Sequence, residues 1–144
     1  MEYPSGFKAE IHSKKPICGV LAVAVCAGVS YDVAHAITKK VTLELMPERQ
    51  RFGGRTYLKH LRVAMERLAV KLSPTIVVNK PLTVARFARE YAKPGMTYLL
   101  QISGHFLCVR DGIAIDQEQS LPVELHKCQR CQVKKFIAVE GKGW

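Results

Sequence analysis

Residues 18–27 read C-G-V-L-A-V-A-V-C-A, ten positions without one charged or amide side chain. Ala and Leu are good helix formers, and the run shows no polar alternation of the kind a half-buried strand carries. A buried helix of about three turns is therefore expected, closed at Gly28 where a left-handed residue can end it. A helix that is apolar on every side has to lie inside the molecule, so the rest of the chain must be arranged around it.

The remaining segments divide by period. Ser30 can cap a second helix from Tyr31 to about Lys40, and residues 43–55, with Pro47 and Gly53-Gly54, read as a loop. Thr56 can cap a third helix, in which Leu58, Leu61, Met65, Leu68 and Leu72 recur at steps of three and four. T-I-V-V-N after Ser73-Pro74 is a short strand, and Thr83 caps a further helix carrying Val84, Phe87, Ala88 and Tyr91. Beyond Lys93-Pro94-Gly95 the pattern changes to strands: M-T-Y-L-L-Q-I, H-F-L-C-V-R, I-A-I-D and Q-V-K-K-F-I-A-V. Helices over about 16–92 followed by antiparallel strands over about 96–139 make an α+β chain, expected to form a single domain over residues 1–144.

Composition narrows the functional classes. The chain has 144 residues, 48% hydrophobic and 24% charged, which is the composition of a folded globular domain. No apolar run reaches the ~18 residues of a membrane span, and the first residues lack a secretory layout, so a cytoplasmic protein without membrane association is expected. Five irregularly spaced cysteines favour free thiols. The net charge of +10 suits an acidic protein, nucleic acid or a nucleoprotein as partner, although the 22 basic residues are dispersed and no aromatic residues alternate with them.

The hairpin S-G-H-F-L-C-V-R-D-G-I-A-I-D, residues 103–116, carries the most specific geometry. Asp111-Gly112 favours a two-residue type I′ turn, which sets Arg110 opposite Ile113 and Leu107 opposite Asp116. Side-chain alternation then puts His105 and Asp116 on one face as diagonal neighbours, within side-chain reach. A carboxylate beside an imidazole fixes its tautomer and stabilises its cation. Cys18, at the start of the apolar helix, lies where unpaired N–H groups favour a thiolate. Cys26 and Cys108 read as packing residues. H-K-C-Q-R-C places His126, Cys128 and Cys131 at zinc-like local spacing, without the second paired motif of a structural zinc site. The same two cysteines also fit a redox dithiol or plain loop positions, and no cofactor is expected.

Cys18 opening an apolar helix, with G-V-S-Y-D-V-A-H-A-I behind it, resembles the start of papain-like cysteine peptidases of the bacteriocin-processing, C39-like kind, including small phage-encoded relatives. Y-A-K-P-G-M-T-Y-L-L-Q-I-S-G-H-F-L-C-V-R-D-G-I-A-I-D resembles their glycine-histidine strand, turn and aspartate, and G-G-R-T-Y-L-K-H-L their middle helix. The resemblance covers about residues 10–120. It implies Cys18 as nucleophile, His105 as base and then acid, and Asp116 as the residue orienting the imidazole. It also implies a peptide or protein substrate, with an amide, isopeptide or thioester bond as the target. Where such enzymes have an oxyanion-stabilising glutamine, about six residues before the cysteine, this chain has His12; the backbone N–H of Cys18 can still serve as a donor, with His12 or Ser13 as side-chain candidates, and Ile17 replaces the usual polar residue before the cysteine. The second function expected from the sequence is a binding protein on the same scaffold, for example an inhibitor of host defence acting through the basic surface.

Overall fold

The computed structural model describes residues 18–48, 56–116 and 120–140. Four α-helices precede or interrupt a six-stranded sheet in them: α1 (Cys18–Ala27), α2 (Tyr31–Leu45), α3 (Leu58–Arg67), β1 (Ile76–Val77), α4 (Val84–Glu90), β2 (Thr97–Ile102), β3 (His105–Arg110), β4 (Ile113–Ile115), β5 (Ser120–Pro122) and β6 (Lys135–Val139). A 3₁₀ turn, Val123–Leu125, follows β5. The sheet runs β1-β6-β2-β3-β4-β5, with every neighbouring pair antiparallel. The chain is α+β, as the change of period indicates.

The apolar decapeptide is the central helix. Every α1 residue from Gly19 to Ala27 is buried, and α2, α3 and one face of the sheet supply the covering surface. Leu99, Phe106, Cys108, Ile115, Ile137 and Val139 form that sheet face. Gly19 is required by close approach: a Cβ there would overlap Thr56 Oγ1 and press on Leu61. The opposite sheet face, with Tyr98, Leu100, Leu107, Val109 and Ala114, is covered by α4 through Val84 and Phe87 and by Val123, Cys128 and Val133. The helices thus lie on both faces of the sheet, where helices on one side or end were expected, because α4 has its own apolar stripe to bury.

Caps explain two helix starts. Ser30 Oγ accepts from the Val33 N–H at 3.3 Å, and Thr83 Oγ1 accepts from the Arg86 N–H at 3.1 Å. Two expected boundaries are corrected. The second helix runs on to Leu45 rather than ending near Lys40, with Val41 and Thr42 buried. The third begins after Tyr57, which makes no side-chain cap bond, and not after Thr56. It also stops at Arg67, short of Leu72. Ala69 takes a left-handed φ of 61°, and Leu72 bridges to Val139 with the Ser73 N–H on Ala138 O at 2.9 Å. Leu72 completes an apolar helical stripe in sequence, but the sheet edge recruits it. Among the described residues no single helix is long and apolar enough to cross a membrane.

Candidate active site

The turn at Asp111-Gly112 forms as expected. Both residues have positive φ, 48° and 77°, and the register is Arg110 opposite Ile113, Val109 opposite Ala114, and Cys108 opposite Ile115. A two-residue turn closes on a hydrogen-bonded pair, so alternate β3 residues (110, 108, 106) aim their N–H groups at β4. β4 ends at Ile115, two positions before the one that the register sets opposite Phe106. The Phe106 N–H is given to the sulfur of Cys18, as is the N–H of Gly19 in the first turn of α1.

The site therefore sits at the strand end, where the N-terminus of α1 reaches the opening of β3. His105 Nε2 lies 2.8 Å from Asp116 Oδ2, with the carboxylate side chain fully buried and the imidazole 22% exposed. The Cys18 thiol hydrogen-bonds the same imidazole. With Nε2 on the carboxylate, Nδ1 is the ring nitrogen left to face the sulfur. Cys18, His105 and Asp116, from a helix, a strand start and a strand end, are brought together. His12 and Ser13 lie outside the described residues.

Electrostatics separate the thiols. Burial pushes the Cys18 thiol up, but the His105 hydrogen bond, the Phe106 N–H, the imidazolium charge and the Gly19 N–H together bring it below the ordinary thiol value. The hydrogen bond to Asp116, then that to Cys18, raise His105 to about 9 against the cost of its own burial. Burial, then the Asp116 charge, push Cys128 up to about 12, so it stays a protonated thiol. Burial and the neighbouring Cys26 likewise raise Cys108, whose sulfur sits 3.5 Å from Cys26 Sγ in the core. Of these three, only Cys18 has a thiol favoured in its reactive form.

The H-K-C-Q-R-C segment ends up against the same carboxylate. Cys128 Sγ approaches Asp116 Oδ2 at 3.9 Å, and its ligand atom lies with those of His105 and Asp116 inside 4.8 Å. His126 Nε2 lies 3.4 Å from Asp116 Oδ1. The spacing that groups His126, Cys128 and Cys131 as zinc ligands does not suit His126. Its Nδ1 accepts the Cys128 N–H at 3.0 Å, so in the neutral ring the proton is on Nε2, which then has no lone pair for a metal. Cys131 contacts the Cys128 thiol instead.

Compared with protein-family models, curated proteins and solved structures, the chain has no significant match to any of them.

Proposed function

We propose that this chain is a cysteine hydrolase of papain-like, C39-like type, cleaving an amide, isopeptide or thioester bond. The observation that carries this reading is the Cys18–His105–Asp116 chain of contacts, which has the order nucleophile, base, orienter. A helix with the cysteine at its first turn, lying across a sheet that carries the histidine, is also the arrangement the resemblance implies.

The chemistry follows from the geometry. The Cys18 thiolate attacks the carbonyl carbon, and the carbonyl π electrons move to oxygen. Collapse of that intermediate expels the amine or thiol, which takes its proton from the His105 imidazolium, and leaves an acyl-thioester on Cys18. Water then gives a proton back to His105 as it attacks, and collapse releases the acid and regenerates the thiolate–imidazolium pair. Asp116 holds Nε2 throughout, so the proton moves at Nδ1. The charge of +10 favours a substrate or partner region that is acidic.

The pH profile tests this reading. Thiolate is present above the lowered pKa of Cys18, and imidazolium below about 9, so the working form exists only between the two. Hydrolysis of a panel of fluorogenic peptide amides and one aryl thioester is expected to be active below the ordinary thiol range and to decline as pH rises through about 9. A Cys18→Ser control should give no turnover. Turnover that persists in that control, or that first rises where a free thiol ionises, would contradict it.

A further inference from the structure

We infer that His126 is a positioning residue of this site: its Nε2–H holds Oδ1 of Asp116, leaving Oδ2 aligned on His105 Nε2. The inference rests on the reading of Cys18, His105 and Asp116 as a triad, and adds a residue to it.

His126 is 0% exposed, and an uncharged polar atom so buried requires a partner. One ring nitrogen has one, since Nδ1 accepts the Cys128 N–H. That bond fixes the tautomer, because a nitrogen accepting from a backbone amide carries no proton of its own. The proton is therefore on Nε2. Among the described residues no hydrogen bond of good geometry satisfies it, and the Asp116 oxygen 3.4 Å away is the acceptor it faces. The separation is within hydrogen-bond range and what is lacking is alignment, which a small turn of the Asp116 carboxylate supplies; bonds in unliganded sites are commonly poorly aligned.

The ring is mounted rigidly enough to act as a stop. The His126 N–H returns to Val123 O at 3.1 Å, closing the 3₁₀ turn, and the Gln129 N–H bonds His126 O at 3.1 Å. The following turn is fastened to the start of α4, whose Val84 and Ala85 N–H groups bond Cys131 O and Gln129 O at 3.0 and 2.9 Å. Asp116 comes directly after β4 ends, so the sheet ladder does not hold its backbone in register. Side-chain contacts on both oxygens favour one orientation of its carboxylate. His105 takes Oδ2 from β3, the Cys128 thiol lies 3.9 Å from Oδ2, and His126 faces Oδ1. Among the described residues, the ionisable groups in contact with His105 itself are Asp116 and, from α1, Cys18.

A purely structural histidine and a positioning one differ in what they do to His105. NMR titration of the His105 ring in the whole chain reads this without any reaction. His126→Leu, of similar volume, is expected to let the carboxylate turn, lowering the His105 midpoint by about one pH unit or more. His126→Gln, whose amide nitrogen reaches the Nε2 position, should hold the midpoint within about half a pH unit of the original. A folded His126→Leu protein with an unchanged midpoint would overturn the inference. Should that variant not fold, His126→Gln and His126→Asn decide it. Glutamine must keep the midpoint and the shorter asparagine must not; equal behaviour of the two overturns the proposal. If the unmodified protein shows no activated Cys18 while His126→Leu still lowers the His105 midpoint, the hydrolase reading fails and the positioning role stands.

Discussion

Replacing His105 with alanine is expected to slow alkylation of Cys18 by iodoacetamide at pH 7 by about 10- to 100-fold. The size follows from what remains around the sulfur. Burial is the largest single influence on Cys18 and acts upward, while the imidazole supplies both a hydrogen bond and a charge that act downward. Without the ring, of the described groups only the Phe106 and Gly19 N–H groups oppose burial. The thiol then moves from below its ordinary value to that value or above it, and the thiolate fraction at neutral pH collapses. Mass mapping of the alkylated cysteine and a circular dichroism spectrum establish that the effect is at Cys18 in a folded chain. A rate within twofold of the unmodified protein would mean that the imidazole does not activate the sulfur.

Replacing Asp116 with asparagine is expected to lower turnover by about 10²–10⁴-fold, while the thiol stays in place. The carboxylate bond is the largest influence raising His105 to about 9. Asparagine is nearly isosteric but neutral, so the imidazolium loses its counter-charge and its midpoint falls. The amide also presents either a donor or an acceptor to Nε2, and a donor there would hold the ring in the tautomer with its proton on Nδ1, which cannot accept the thiol proton. The descending limb of the pH profile should move down together with the His105 midpoint. A turnover number unchanged in a folded Asp116→Asn protein would remove Asp116 from the mechanism and leave a dyad.

How far the sequence reaches differs from segment to segment. The hairpin was legible to the residue, because Asp111-Gly112 admits few turn geometries and a period of two does the rest. The burial of α1 was legible because ten consecutive apolar residues have no face to give to water. Leu72 was misleading for a physical reason: a leucine at a helical step is equally good at bridging a sheet edge, and only tertiary contact decides between them. Strand β5 and the 3₁₀ turn behind it were not visible, since Ser120–Pro122 is too short for any period to show. That omission also hid His126. Its placement against Asp116 depends on β5 pairing with β4 and on the turn beyond it docking to α4, which are contacts between distant segments. The meeting of Cys18 with His105 was implied by resemblance and is carried in the fold by the early end of β4, which frees the Phe106 N–H for the sulfur.

The central claim is that folding activates Cys18, and its alkylation rate at pH 6 tests that most directly. An ordinary thiol is well under about 1% ionised at that pH. The folded protein is expected to alkylate at Cys18 at least about tenfold faster than the same residue in urea, despite the partial burial that slows access. A folded rate equal to or below the unfolded rate would contradict an activated nucleophile at this site.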